Sequence, residues 1–184
     1  MDLNFEEKNL NTNVIYEGKI ITVHVDDIEL PDGNKAIREV VEHSGGVSVA
    51  ALTDEDELIF VRQYRYPYSK ELLELPAGKL EKGEDPLEAA KRELEEESGV
   101  VAGTIEHIGE LYTTVAILDE KIQMYLATDL TYKNAHPDDG EFLEIEKIPL
   151  STLVDMVMKG EIKDSKTQIA ILKAERILAN RSKA

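Results

Sequence analysis

Between Asp85 and Gly99 the chain specifies a helix whose two ends and buried face are all marked, and this segment constrains the fold more than any other. Asp85 is placed to act as N-cap. Pro86 takes the first helical position, where its missing N–H costs nothing, and Glu88 at N3 completes a variant of the capping box. Gly99 is placed to end the helix. Leu87, Ala90 and Leu94 recur at helical spacing and form one apolar stripe, which needs a core to lie on. The remaining faces are polar.

On one polar face Glu93, Glu96 and Glu97 stand at i, i+3 and i+4, so three carboxylates share a single turn. Like charges so placed destabilise an isolated helix by roughly a few tenths of a kcal/mol per pair. They also sit toward the C-terminal half, where the helix dipole disfavours negative charge. A bound divalent cation would reverse both penalties. Hard cations such as Mg²⁺ and Mn²⁺ prefer carboxylate, carbonyl and water oxygens, and Mg²⁺ keeps some waters while bridging to substrate phosphates. The pattern therefore predicts metal-dependent phosphate chemistry. Spacing alone leaves open the plainer reading of an acidic run, a solvated helix face.

Composition narrows the partners. With 21 Lys and Arg against 38 Asp and Glu, the formal charge is −17, which argues against nucleic-acid binding because affinity for a phosphate backbone rests on clustered cations. A small anionic substrate needs local positive charge. Arg38, Arg62 and Arg65 lie on or beside strand-forming runs, and guanidinium groups suit phosphate oxygens, although Arg62 reads more simply as an exposed strand arginine. The absence of cysteine excludes disulfides, zinc–thiolate sites and thiol nucleophiles, and points to the cytoplasm. His24, His43, His107 and His136 lack helical ligand spacing, so any metal belongs among oxygens. The N-terminal Met-Asp-Leu-Asn-Phe-Glu-Glu has no basic or apolar leader pattern, and no later run approaches the ~20 apolar residues that span a bilayer.

The 184 residues fit one domain at about 100–200 residues each. Strands are expected at Val14–Tyr16, Lys19–Leu30 and Lys35–His43, the last two joined by the turn Pro31-Asp32-Gly33-Asn34. A second hairpin is expected from Val47–Thr53 and Leu58–Tyr66 about the polar tip at residues 54–57. Further strands are predicted at Thr104–Thr113, Lys121–Thr128 and Phe142–Ile148, a short helix at Leu150–Met158, and a C-terminal helix from Asp164-Ser165 toward Asn180. Hairpins with interposed helices point to an α+β chain or a sandwiched mixed sheet.

From Gly78 to Val100 the spacing reads Gly-x5-Glu-x7-Arg-Glu-U-x-Glu-Glu-x-Gly-U, with U aliphatic, through Gly78, Glu84, Arg92, Glu93, Leu94, Glu96, Glu97, Gly99 and Val100. This resembles the Nudix box at every specified position, a match expected by chance on the order of 10⁻⁷. The resemblance implies an α+β chain with the Nudix α/β/α sandwich, a mixed sheet and added N-terminal antiparallel strands. It implies hydrolysis of a nucleoside diphosphate linked to another group. It also implies that Glu93, Glu96 and Glu97, with the carbonyl of Ala77, ligate Mg²⁺ or Mn²⁺. Arg92 becomes a structural partner, for which the residue pattern offers Glu88 four positions earlier as ion pair. Glu84 becomes an anchor of the loop, its share in metal binding left open.

Arg38-Glu39-Val40-Val41-Glu42-His43, Arg62-Gln63-Tyr64-Arg65-Tyr66-Pro67 and Leu73-Glu74-Leu75-Pro76-Ala77-Gly78 are similar to the ADP-ribose pyrophosphatase branch, over about residues 14–175. The similarity implies that Arg65 contacts phosphate and that Arg38 lies at the adenosine side. Glu74 either assists that substrate-binding set or takes a structural hydrogen bond. Residues 1–43 of a single 1–184 domain are implied to exchange strands across a homodimer. Related enzymes supply a loop glutamate before a late strand to orient or deprotonate the attacking water; Glu141 is the candidate and Asp139 its rival, with Glu96 and Glu97 completing the catalytic set. The chain departs from the branch at Tyr112–Glu120, which lacks a customary Pro-Gly, and at His43-Ser44-Gly45, where Ser replaces Pro. The expectation is a cytoplasmic, Mg²⁺-dependent homodimer that cuts ADP-ribose, or a close nucleoside diphosphate sugar, to AMP and ribose 5-phosphate, with no nucleic-acid or membrane partner. Alternatives are another nucleotide sugar such as GDP-mannose, a nucleoside triphosphate, or a non-catalytic ADP-ribose sensor.

Overall fold

A computed structural model describes residues 4–138 and 140–182, so Asp139, the rival base, lies outside the described residues. The chain forms two compact units: one takes the chain through Gly45 together with Tyr112–Lys121, the other takes Gly46–Leu111 and the chain from Ile122 onward.

In the first unit β1 (Lys8–Glu17), β2 (Ile21–Glu29) and β3 (Lys35–His43) make an antiparallel sheet in that order. The β2–β3 turn closes as expected, with the Asn34 amide donating to Asp32 Oδ1 at 3.0 Å. The first strand begins at Lys8 rather than Val14. Its opening half, Lys-Asn-Leu-Asn-Thr-Asn, has no apolar alternation to announce it and is held by backbone pairing to β2, with one register shift between Asn9 and Asn11 and a second further on, between Val14 and Tyr16. Every residue of β1 is exposed.

The second unit holds β4 (Gly46–Ala51), β5 (Glu57–Arg65), β6 (Lys70–Glu74), β7 (Ala77–Lys79), α1 (Pro86–Ser98), β8 (Val100–Tyr112), β9 (Lys121–Tyr132), β10 (Glu144–Pro149), α2 (Leu150–Met158) and α3 (Ser165–Arg181). One sheet has the order β7-β4-β9-β8 and is mixed, because β4 runs antiparallel to β7 and parallel to β9. The other is the antiparallel set β10-β5-β6. The expected β4–β5 hairpin is thus corrected: the polar tip turns the chain, but only a single bridge, Leu52 to Leu58, joins the two runs. Both edges of β4 are taken by β7 and β9, and both edges of β5 by β10 and β6. Strands β6 and β7 flank Pro76, whose missing N–H interrupts the run.

Side-chain alternation feeds two cores. Val47, Val49 and Ala51 of β4, Ile59 of β5, and Tyr125 and Ala127 of β9 meet Ala89, Ala90 and Leu94 of α1. The intervening Ala50, Leu58, Phe60, Met124 and Leu126 meet Leu153 and Val157 of α2 and Ala170, Ile171 and Ala174 of α3. Period-two strands carrying apolar residues on both faces require a layer on each side, and the result is an α/β/α sandwich. No helix among the described residues is long and apolar enough to cross a membrane.

Candidate active site

Helix α1 starts and stops where its sequence says. Asp85 accepts from the amides of Leu87 (2.9 Å) and Glu88 (3.2 Å), and Gly99, at φ 67°, donates its N–H to Glu95 O at 2.8 Å. Burial of Ala89, Ala90 and Leu94 fixes the rotation of the helix, and with it the acidic face. The backbone of β7 passes so close to that face that a Cβ added to Gly78 would overlap the Glu93 carboxylate. Glycine at this position is what admits the acid.

Arg92 is the counter-ion of this cluster. Its Nε and Nη2 donate to the two oxygens of Glu84 at 2.9 and 3.0 Å, and its Nη1 bridges Glu93 Oε1 (2.8 Å) and Glu96 Oε2 (2.9 Å). The Glu88–Arg92 pair expected from helical spacing does not form. Glu88 takes Lys91 at 2.7 Å instead, because the loop before the helix delivers a carboxylate that meets the guanidinium fork with both oxygens.

Glu97 is buried and accepts the Ala77 amide at 2.9 Å. Burial, with the charges of Glu93 and Glu141 adding to it, pushes its carboxyl up to about 8. Glu93 is raised for the same first reason, desolvation, which Arg92 opposes and Glu96 and Glu141 reinforce. Glu141 therefore stands within electrostatic reach of both acids. Its own loop is closed by Asp138, whose amide donates to Glu141 Oε2 at 3.3 Å and whose carbonyl accepts the Glu141 amide at 3.0 Å. The segment leading there is fastened to the end of α1: Lys133 N–H donates to Gly99 O (2.7 Å) and His136 N–H to Glu96 O (2.9 Å). A Cβ at Gly99 would come within 2.8 Å of the Ala135 nitrogen.

Arg65, at the end of β5, carries charge into the same neighbourhood, with Glu97 among the groups that raise its pKa; the bond to Glu74 is the first cause. Glu74 is enclosed, and both its oxygens are occupied by Arg65 and Lys166. Its carboxylate thus takes a structural place beside the substrate-binding candidates. Sequence reading missed Lys166. Asp164-Ser165 announces where α3 begins, but nothing local says that this end lands on β6. Arg38 lies in the first unit, where its Nε donates to Glu7 at 3.0 Å. Arg62 forms an ion pair with Glu146 at 2.7 Å between β5 and β10, the ordinary strand role. In the departing loop of the first unit, Thr114 O accepts from the amides of Ile117 and Leu118 at 3.2 and 3.1 Å, making a turn without Pro or Gly.

No three acidic or histidine side chains close into a cation cage among the described residues, since Arg92 spans Glu93 and Glu96 while Glu97 leans on Ala77. The donor chemistry nonetheless fits a hard divalent cation: every candidate atom is oxygen, Glu93 and Glu97 are desolvated, and neighbouring carboxylates raise the proton affinity of both, Glu96 and Glu141 acting on Glu93, and Glu93 and Glu141 on Glu97. The surplus negative charge is what such an ion would neutralise.

Comparison with known proteins matches a NUDIX domain over residues 42–168 and a nucleoside diphosphate sugar hydrolase N-terminal domain over residues 7–41. The chain is 42% identical over 169 residues to the methanol dehydrogenase activator of Bacillus methanolicus, covering 91% of each. It is 41% identical over 168 residues to an ADP-ribose pyrophosphatase of Bacillus subtilis (strain 168), covering 90% of this chain and 91% of the relative. Identity to an ADP-ribose pyrophosphatase of Mycobacterium tuberculosis is 35% over 162 residues, 86% of this chain and 78% of that one. A crystal structure of an ADP compounds hydrolase shares the fold with a TM-score of 0.87 at 23% identity over 100% of both chains. The complete acid–arginine box on a buried-face helix, the sandwich that carries it and a domain match spanning most of the sequence have one conclusion: the chain belongs to the Nudix hydrolase family.

Proposed function

We propose that this enzyme is a Mg²⁺-dependent ADP-ribose diphosphatase, releasing AMP and ribose 5-phosphate and working as a cytoplasmic homodimer. One observation carries the chemistry: the desolvated carboxylates of Glu93 and Glu97 share a site with the Arg65 guanidinium and the loop acid Glu141. The substrate rests on the relatives named ADP-ribose pyrophosphatase.

In this reading Glu93, Glu96, Glu97 and the Ala77 carbonyl hold the divalent ion, Mg²⁺ being suited to all-oxygen donors and phosphates, with Mn²⁺ able to take its place. When bound, the ion supplies neutralisation of the diphosphate charge and acidifies water. Glu141 accepts the proton of the attacking water as its oxygen bonds to one phosphorus. The bridging P–O bond breaks, and its electron pair leaves with the other phosphate. Arg65 holds phosphate oxygens through charge-assisted hydrogen bonds. Arg38 is the residue proposed for the adenosine side. Dimerisation is supported by β1, a fully exposed strand that leaves Leu10, Val14, Ile15 and Tyr16 uncovered.

Purified protein with Mg²⁺ should release AMP from ADP-ribose, and Glu97→Gln should lower the rate at least about 10²-fold. An unchanged rate removes Glu97 from the ligand set. Cleavage of GDP-mannose or a nucleoside triphosphate without cleavage of ADP-ribose moves the substrate assignment. A monomer mass by sedimentation refutes the dimer.

A further inference from the structure

Glu74 closes β6 with its side chain only 3% exposed, a costly place for a carboxylate unless its charge is fully matched. Arg65 matches it through Nε to Oε1 (2.7 Å) and Nη2 to Oε2 (2.8 Å), and Lys166 Nζ meets Oε2 as well. Lys166 also reaches Asp164 Oδ1 at 3.0 Å. Asp164 is fixed in turn, because its Oδ2 caps α3 by accepting the Thr167 amide at 2.9 Å. Thr167 Oγ1 accepts the amide of Leu75, the residue after Glu74, at 3.1 Å. The cluster of two acids and two bases is therefore anchored to the backbones of both β6 and α3.

Within it, only Arg65 keeps substantial contact with solvent, its side chain 38% exposed against 12% for Lys166. The Nε–Nη2 edge of its fork is committed to Glu74, which leaves the Nη1 edge outside the pair. Without Lys166, Arg65 would share a net negative cluster with Glu74 and Asp164 and would hold little attraction for an anion. With Lys166 the buried charges cancel, and the exposed end of the cluster is positive.

We infer that Glu74 is a positioning residue for anion recognition: it locks Arg65 in one orientation so that the free edge of the guanidinium meets a diphosphate oxygen already ordered, while Lys166 cancels the buried charge that would otherwise blunt that attraction. The gain is one of preorganisation, since a free arginine would lose rotamer freedom on binding. The inference rests on the phosphate-binding role proposed for Arg65 and is independent of which group lies beyond the diphosphate.

The test is a double-mutant cycle read by calorimetric titration of the intact protein with imidodiphosphate, a non-hydrolysable diphosphate, in the presence of Mg²⁺. Glu74→Gln and Arg65→Ala should each weaken binding roughly tenfold. The double variant should be no weaker than the poorer single one, because Glu74 acts only through Arg65. Additive losses, an unchanged affinity in Glu74→Gln, or no binding by the wild type would overturn the inference. Should Glu74→Gln not fold, Glu74→Gln/Lys166→Met removes one charge of each sign and takes its place in the cycle against Lys166→Met. Turnover of ADP-ribose by the wild type is scored separately, so a failed substrate assignment leaves the cycle readable.

Discussion

Replacing Gly78 with alanine puts a methyl group where the Glu93 carboxylate now lies. The atoms in the way are the far end of a flexible side chain, and Gly78 is not among the glycines at positive φ, so the backbone accepts the substitution and the acid swings aside. Restricting the unfolded chain stabilises by about 0.4–1 kcal/mol. Loss of the partly exposed Arg92–Glu93 pair costs a similar amount, about 0.2–1 kcal/mol. The two nearly cancel, and Tm should move by no more than about 4 °C for a chain of this length. Catalysis has no such compensation under the proposed metal-ligand role of Glu93, because a ligand displaced by about 1 Å costs on the order of 10²-fold, or roughly 2.7 kcal/mol of barrier. Gly46→Ala is the contrasting control: its Cβ would lie 2.7 Å from the backbone oxygen of Gly78, which no side-chain rotation relieves, so about 1–3 kcal/mol of stability should go. Thermal melts without metal and AMP release with Mg²⁺ measure both. Full activity in Gly78→Ala, or unfolding as severe as in Gly46→Ala, would refute the reasoning.

Burial pushes the Glu97 carboxyl up to about 8 from its ordinary 4.5, so its contribution to metal-free stability is whole below pH 4.5 and is lost as pH rises through about 8. Urea titrations of the metal-free protein between pH 5 and 9 should show a shallower decline for Glu97→Gln than for wild type; parallel slopes would count against the assignment. Glu74 runs the other way. Burial works against its charge, but the Arg65 bond and Lys166 outweigh it and hold the carboxyl at about 2, so its stabilisation is present above pH 4.5 and is lost as pH falls toward 2. Acid titration should be flatter over that interval in Glu74→Gln. Arg92→Ala leaves Glu84, Glu93 and Glu96 without their shared cation and should lower stability by about 1–3 kcal/mol, with Mg²⁺ restoring part of it; denaturation with and without the metal gives the two values.

Local sequence told both ends of α1, because the Asp85 cap and the Gly99 stop are properties of consecutive residues, but Glu88 turns to Lys91 instead of completing the capping box, and the buried face takes in Ala89 while Leu87 is only partly covered. Strand periodicity gave β4 and β5 their faces but not their neighbours. Alternation reports burial, and the partner of a strand is chosen by distant segments, here β9 for β4 and β10 for β5. The same limit explains the ion pairs. Helical spacing nominated Glu88 for Arg92, whereas the loop acid Glu84 arrives with both oxygens and wins. Lys166 meets Glu74 across 92 positions of sequence, a distance over which no periodicity informs. The carboxylate face was legible, but that Glu97 is enclosed while Glu96 is half open depends on where β7 passes.

Mooring residues 133–136 to the end of α1 puts the proposed base on a leash. Only five positions separate His136, whose amide is tied to Glu96, from Glu141, a contour of at most ~18 Å. Glycine at position 99 is the berth that lets the mooring line lie flush, since a side chain there would shoulder Ala135 away. The reach of the base is thus inherited from the same helix that positions the acids. Lengthening or shortening the links beyond residue 136 would retune that reach for a bulkier or slimmer substrate while leaving the acidic face untouched.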